Sequence, residues 1–381
     1  MSQRRCWAEI SLARIKENLQ IVRRHVGARI KILAVVKGNA YGHGALPVAQ
    51  ALAAAGADGF GVTSTEEGIE LRQGGIQQPI LLMAGFYPGE EDEVLAHNLT
   101  AGICELGQLA RLEQAARTRG RRVPCHVKVD TGMGRLGIPS EAVPQVLDML
   151  SASQALELEG LYTHFAASED FTSPQTAEQV ACFARVREQF AARGLRPPLL
   201  HLANTGGIVA RPETWGTMVR PGSLLYGYLS FFKFAGADRT AEFYQKLPVQ
   251  PALTLKAMIY LIREFPPGKP LGYGARFVTQ RPSRIAILPI GYADGWRRGL
   301  SGQCRVLVRG RYAPVVGTIG MDLIHVDATD IPEAQPGDEV ILIGSSGSAS
   351  IPPTEPARAL GSVASEILSG LGPRIPRVYA E

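Results

Sequence analysis

A chain of 381 residues exceeds the usual single-domain span of about 100–200 residues and implies two or three domains. Hydrophobic residues make up 45% and charged residues 20%, which suits a globular enzyme with a sizeable core and excludes a disordered or fibrous chain. Lys and Arg number 40 against 35 Asp and Glu, a formal +5 that is scattered rather than blocked; it gives poor support to a basic nucleic-acid tail and fits attraction of a small anionic ligand equally well.

The N-terminus carries basic residues but no apolar stretch of the signal-peptide kind. No window reaches about 18 uninterrupted apolar residues, so a cytoplasmic protein with no membrane and no nucleic-acid partner is expected. Residues 11–26 place Leu12, Ile15, Leu19, Val22 and Val26 at steps of three and four, an amphipathic helix with Ser11 as N-cap and Gly27 just past its end. The run IKILAVV (30–36) predicts a strand buried on both faces. Strands are expected again at 58–62, 79–83, 99–103, 124–129, 157–163, 198–202 and 216–220. Helices are expected between most of them, at 45–55, 64–73, 89–97, 105–119, 140–150 and 174–193. Ser64 with Glu67 reads as a capping box, and Ser173 with Pro174 as a helix start.

Strand followed by helix recurs eight times between residue 30 and about 235, which predicts a (β/α)8 TIM-type barrel; an open doubly wound sheet has the same periodicity and is the alternative. After residue 240 the chain turns to short alternating strands with Pro/Gly turns, an all-β domain, with 344–355 read as a loop and helix only near 355–370. The expected division is therefore a barrel over 1–240, its residues 1–10 joining the β domain, and a C-terminal β domain over 241–381. The five cysteines (Cys6, Cys104, Cys125, Cys182, Cys304) are widely spaced and contain no C-x-x-C pair, so neither a disulfide framework nor a metal site is expected.

Barrels of this kind carry their chemistry at the C-terminal ends of the strands. Those places hold Lys37, then Lys128 and Asp130 followed by Arg135, then His164, then Asn204 and Thr205, and last Arg220 followed by Gly222 and Ser223. A lysine directly after a wholly apolar strand is desolvated, which favours the neutral, nucleophilic amine of Schiff-base chemistry. A lone lysine in such a place also reads as one snorkelling from a loop, but Gly38, Tyr41, Gly42 and Gly44 make a turn that admits a ligand closely. Thr205, Gly206, Gly207, Gly222 and Ser223 offer hydroxyls and unhindered amides for a phosphate. A Schiff-base lysine with a phosphate cradle is what pyridoxal phosphate requires. Taken singly, His164 reads as a core histidine, Arg220 as a strand-end ion pair, Tyr273 and Tyr292 as half-buried aromatics and Met321 as part of a turn. Gly132-Met133-Gly134-Arg135-Leu136-Gly137 matches the dinucleotide fingerprint G-x-G-x-x-G, but Pro139 and Ser140 place the helix start beyond it, so the motif reads as a decoy.

The motifs WAEI, AVVKGNAYGHG, VKVDTGMGRLG, YTHFA, HLANTGG, MVRPGSLLYG, GYGARF, PIGYADG, GTIGMD and RIPR stand in this order, and in them the chain resembles the alanine racemase family over essentially its whole length. The resemblance implies a barrel plus a β domain, pyridoxal phosphate, and a homodimer with shared active sites that acts on alanine. It implies that Lys37 holds the cofactor and is one catalytic base, with Tyr273 of the partner subunit as the second. Arg220 is similar to the arginine facing the pyridine nitrogen and His164 to its support. Tyr41, Thr205, Gly222 and Ser223 match cofactor contacts. Arg135, Met321 and Tyr292 match substrate-binding positions, and Lys128 a lysine that is carbamylated in some members. Gly38, Thr205-Gly206 and Gly320 depart from the residues common in the family. A tyrosine that helps hold the phosphate in many members aligns near Ser365, which implies a weaker hold on the cofactor. A serine or broad-specificity racemase shares these motifs. A PLP-binding homeostasis protein shares only the barrel, and a dinucleotide oxidoreductase rests on the decoy alone.

Overall fold

A computed structural model describes residues 5–229, 231–235 and 237–380. The chain forms two units: Ile15–Ala40 with Ala45–Gln250, and Met1–Arg14 with Tyr41–Gly44 and Pro251–Glu381.

The first unit is built on eight parallel strands: Lys31–Val35, Gly59–Val62, Ile80–Leu82, Thr100–Ile103, Val123–Asp130, Leu156–Tyr162, Leu199–His201 and Met218–Val219. Each pairs with the next from the first to the seventh, and the eighth pairs back onto the first. Between the seventh and eighth, Thr217 N donates to Leu200 O at 2.9 Å and Arg220 N to Ala203 O at 3.0 Å, which closes the ring. Closure decides for the barrel over the open sheet, a choice that periodicity alone leaves open.

Apolar runs form these strands because both faces are covered: Ile32, Leu33, Ala34 and Val35 are all buried. The helices Leu12–Val26, Ala45–Ala54, Thr65–Gln73, Glu91–Ala96, Leu106–Thr118, Val143–Ala152 and Gln175–Ala192 stand within one to three residues of the expected spans. Ser11 Oγ accepts from Arg14 N at 3.2 Å, and the Ser64–Glu67 capping box is formed. Two further helices, Thr205–Ala210 and Thr240–Lys246, are short and glycine-containing or flanked by irregular chain, and carry no periodic stripe from which to read them.

The second unit is a mostly antiparallel sheet. Its order runs Leu261–Phe265, Ser283–Leu288, Ile324–Asp327, Arg311–Val316, Arg305–Val308, Glu339–Ser346, Leu253–Met258, Cys6–Ser11 and Arg377–Ala380. The stretch expected as a loop at 344–355 is instead partly a hairpin, with Ser345 opposite Ser350 and Ser346 opposite Ala349. Small polar residues disguise it, because a solvated edge needs no apolar alternation. Among the described residues no helix is long and apolar enough to cross a membrane.

Candidate active site

Lys37 follows the first barrel strand, and the backbone after it turns the wrong way. Gly38, Asn39, Ala40 and Tyr41 have φ of 61°, 53°, 52° and 53°, one turn of left-handed helix. Each non-glycine residue there costs about 1–2 kcal/mol, so the turn persists only because its surroundings hold it. Glu67 Oε1 accepts from Gly38 N at 2.6 Å, Asn39 Oδ1 from Ala45 N at 2.7 Å, and Val36 O from Ala40 N at 2.8 Å. The Lys37 amine is held below the usual lysine range by burial and then by the Arg135 charge, against which the Glu67 carboxylate pulls it back up.

His126, Lys128 and Asp130 alternate along the fifth strand and so share one face. Lys128 is buried; its Nζ lies 5.6 Å from the centroid of the Tyr162 ring and 3.4 Å from Met83 O. Burial, with the Cys104 thiol opposing and the Arg220, Arg135 and Lys37 charges adding, pushes its amine down to about 8. Asp130 Oδ1 accepts from Gly132 N and Met133 N at 2.9 Å and from Gly134 N at 3.1 Å. Burial raises this carboxyl, but the three amides outweigh it and hold it below the usual carboxylate range. The glycine-rich motif is thus a loop wrapped on a carboxylate, carrying exposed Arg135 at its tip; the next helical turn begins at Ser140. That geometry belongs to no dinucleotide site, because no helix N-terminus faces out of the glycines.

Arg220, at the end of the eighth strand, is 4% exposed and buried among neutral acceptors. Nη1 donates to His201 O at 2.6 Å and to His201 Nδ1 at 3.2 Å; Nη2 donates to Thr163 O at 2.7 Å and Leu202 O at 3.0 Å, and lies 3.5 Å from His164 Nδ1. None of these is a carboxylate. Burial brings the guanidinium down to about 10, still charged at neutral pH. Since an arginine only donates, His201 must accept at Nδ1 and carry its proton on Nε2. That proton points at His126 Nδ1, 2.9 Å away, which leaves the His126 proton on Nε2, 3.8 Å from Glu159. Burial holds both histidines below the usual range, with the Glu159 carboxylate opposing at His126, so both stay neutral. Burial and then the Arg220, Lys128, Arg135 and Lys37 charges push His164 down to about 2.

At the ends of the seventh and eighth strands, Gly222 N and Ser223 Oγ each lie 3.3 Å from Thr205 Oγ1. These are loose contacts beside the usual ~2.7–3.0 Å, so two hydroxyls and an amide converge on one place with their donors undercommitted. An oxyanion needs such a set. Lys128 and His164 each feel the charges of Arg220, Arg135 and Lys37, and Lys37 feels that of Arg135, all in this unit.

The other expected residues belong to the β unit. Tyr41 opens the segment Tyr41–Gly44, which Arg377 ties down by donating from Nε to Gly42 O at 3.0 Å. Tyr273 is 74% exposed, and its carbonyl accepts from Thr318 Oγ1 at 2.8 Å. Met321 and Tyr292 are also exposed and sit on touching loops: Tyr292 N donates to Gly320 O at 3.1 Å and Ala293 N to Met321 O at 3.0 Å. A Cβ on Gly291 would collide with the Met321 carbonyl, so glycine is required for that approach. Fully buried Asp294 accepts from Gly291 N at 2.9 Å and pairs with Arg5 at 2.8 Å and Arg374 at 3.3 Å, and Arg374 pairs with Asp322 at 2.7 Å. One arginine of the RIPR motif therefore ties together the loops that carry Tyr292 and Met321. Ser365 lies half-buried on the helix Ala364–Ser369. Sequence reasoning missed His126, His201, Glu159 and the reach of Glu67; the i, i+2 spacing of His126 with Lys128 was the available signal.

Two family models match the chain: "Alanine racemase, N-terminal domain" over residues 10–230 and "Alanine racemase, C-terminal domain" over residues 252–379. A protein named alanine racemase from Symbiobacterium thermophilum is 38% identical over 375 residues, 98% of this chain and 96% of its own length; one from Syntrophobacter fumaroxidans is 37% identical over 366 residues, 96% of this chain and 95% of its own. The solved alanine racemase from the D-cycloserine producer Streptomyces lavendulae superposes with a TM-score of 0.92 at 32% identity, covering 100% of this chain and 98% of that one. The Bartonella henselae structure, described with covalently bound pyridoxal phosphate, superposes with a TM-score of 0.87 at 31% identity, covering 99% and 100%. Matches of this extent over both units leave one conclusion: the chain belongs to the alanine racemase family.

Proposed function

We propose that this chain interconverts L- and D-alanine with pyridoxal phosphate, using two bases on opposite faces of the substrate, and so supplies D-alanine for peptidoglycan synthesis. The observation that carries the reading is the desolvated Lys37 amine at the head of a barrel whose neighbouring seventh and eighth strand ends hold a buried arginine and an undercommitted oxyanion cradle. These donors fit pyridoxal phosphate. Lys37 attaches it, Thr205, Gly222, Ser223 and Tyr41 hold its phosphate, and Arg220, supported by His164, is the partner of its ring nitrogen. When bound, the cofactor supplies an electron-accepting ring conjugated to the substrate nitrogen, which makes the α-proton acidic. Arg220 stays charged, so it donates a hydrogen bond without giving up its proton.

Arg135 pairs with the substrate carboxylate. Lys37 Nζ and Tyr273 Oη remove and return the α-proton, each transfer contributing about 10²–10⁴-fold. Tyr273, Met321 and Tyr292 reach the site from the β domain (241–381) of a second copy, and the barrel (1–240) supplies the rest. Their exposure on the β unit supports a shared-site homodimer. Lys128 carries a carbamate that faces Arg135. Ser365 leaves the phosphate one contact weaker than the tyrosine common in the family. The protein works in the cytoplasm.

The test is racemisation in heavy water, followed by chiral separation and mass spectrometry. Two bases predict D-alanine that is labelled from the first turnover, while the remaining L-alanine is still unlabelled. Equal early labelling of both enantiomers would mean one base. Comparable rates with serine or bulkier amino acids would make the enzyme a broader racemase, and no exchange in the presence of pyridoxal phosphate would leave only cofactor binding.

A further inference from the structure

The carboxylate of Glu67 does two things at once. Within its own helix, Glu67 N donates to Ser64 Oγ at 3.4 Å while the side chain reaches back, Oε2 accepting from Thr63 N at 2.8 Å and Ser64 N at 3.4 Å. Its other oxygen leaves the helix and accepts from Gly38 N at 2.6 Å. An ordinary capping box ends at the helix; here the same side chain bridges the second and first βα loops of the barrel.

We propose that Glu67 is the positioning residue for Lys37: pinned by the Thr63 and Ser64 amides, its carboxylate anchors the left-handed turn at Gly38 and sets a negative charge against the Lys37 amine. The inference rests on Lys37 being the cofactor lysine. Two features of the geometry support it. The turn begins at Gly38, directly after Lys37, so the Gly38 amide is the nearest backbone handle on the direction of that side chain. The other charged groups acting with Lys37 are Arg135 and the uncarbamylated Lys128 amine, both cations, so Glu67 is the carboxylate that opposes them at Lys37. Without it, burial and Arg135 act on the amine unopposed.

The experiment uses the full-length chain, freed of cofactor with hydroxylamine, and competitive labelling with acetic anhydride from pH 6 to 11 read by peptide mass spectrometry. Glu67→Gln keeps the shape and an acceptor for Gly38 N but removes the charge. Its Lys37 midpoint is expected to move to lower pH, with more than twofold greater labelling than the parent on the acid side of the parent's midpoint. Ser64→Ala breaks the helix cap while leaving the Glu67 carboxylate in place, and its midpoint is expected to match the parent's. Glu67→Asp keeps the charge but shortens the reach; in the reloaded enzyme it is expected to release pyridoxal phosphate faster, read from visible absorbance. Superimposed labelling profiles for Glu67→Gln and the parent overturn the proposal, as does an equal shift in Ser64→Ala. Failure of the underlying reading shows separately: borohydride reduction of the loaded parent would then place the pyridoxyl mass on a peptide lacking Lys37.

Discussion

Lys128 offers the sharpest quantitative test, because its environment penalises the state a lysine normally occupies. The amine falls from 10.5 to about 8, a penalty of roughly 3 kcal/mol on the ammonium at about 1.4 kcal/mol per tenfold. The folded state holds this proton less tightly than the unfolded chain. The penalty is therefore fully present below about pH 8 and is relieved as pH rises toward 10.5. At pH 7 the neutral fraction rises from about one in three thousand to about one in ten. A neutral amine attacks the carbon of carbon dioxide; an N–C bond forms, one proton is released, and the cation becomes an anion facing Arg220, Arg135 and Lys37. Carbon-13 NMR of the protein in labelled bicarbonate at pH 8 should show a bound carbamate resonance, and thermal unfolding should shift upward relative to carbon-dioxide-free buffer. Lys128→Met should lose both effects. A wild-type spectrum with no bound carbamate at saturating bicarbonate would refute the reasoning, and so would a signal that survives the substitution.

Three further outcomes follow from the site. Tyr273→Phe should leave the melting temperature unchanged, because it keeps the ring and the hydroxyl packs against nothing among the described residues of its own chain, and cut α-proton exchange of one enantiomer by about 10²–10⁴-fold while the other keeps exchanging; equal loss for both would remove Tyr273 as a base. Gly137→Ala combines φ of 130° with a Cβ 2.6 Å from Asp130 N, so about 1–3 kcal/mol of strain should displace the Arg135 loop and raise KM more than it lowers kcat; an unchanged KM would count against Arg135 as the carboxylate partner. His201→Leu removes one charged hydrogen bond from Arg220 and the donor to His126, and denaturant titration should show a loss of about 2–4 kcal/mol; under about 1 kcal/mol, the histidine relay contributes nothing.

The barrel was legible because most of its strands are short apolar runs separated by helices, one of them with a full capping box, and the chemistry was legible because polar residues interrupt those runs where the strands end. Lys37 after AVV and Arg220 after MV announce themselves by contrast with their neighbours. What stayed hidden depends on contacts far apart in sequence. His126 and His201 are 75 residues apart and look like ordinary strand residues until the ring closes and brings their nitrogens to 2.9 Å. Glu67 reads completely as a helix cap, and nothing local says that its second oxygen serves another loop. The left-handed turn at Asn39–Tyr41 is equally silent, since none of these residues requires positive φ; the fold imposes it. The Ser345–Ser350 hairpin escaped for the opposite reason: at its tip, from Ser345 to Ser350, the paired residues are small and polar and present no buried face to pattern.

The electrostatics of the barrel unit make one argument of these parts. Lys37, Lys128, Arg135 and Arg220 each disfavour protonation of one or more of the others, or of His164, and Arg220 is satisfied only by carbonyls and imidazoles. Like charges held in a largely buried place are little screened by salt, so gathering these groups costs free energy that folding must offset elsewhere. The proposed occupants are all anions: a phosphate at Thr205, Gly222 and Ser223, a carboxylate at Arg135, and a carbamate on Lys128. Each anion relieves repulsion felt by the groups around the others, so their binding is coupled without any change of shape. Glu67 stands apart as the carboxylate the protein itself sets against the Lys37 amine. On the proposed function, a site made cationic in this way would select amino acids by their carboxylate and leave the choice among side chains to the walls, which assigns substrate size to the exposed Tyr292 and Met321 loops that Arg374 ties together.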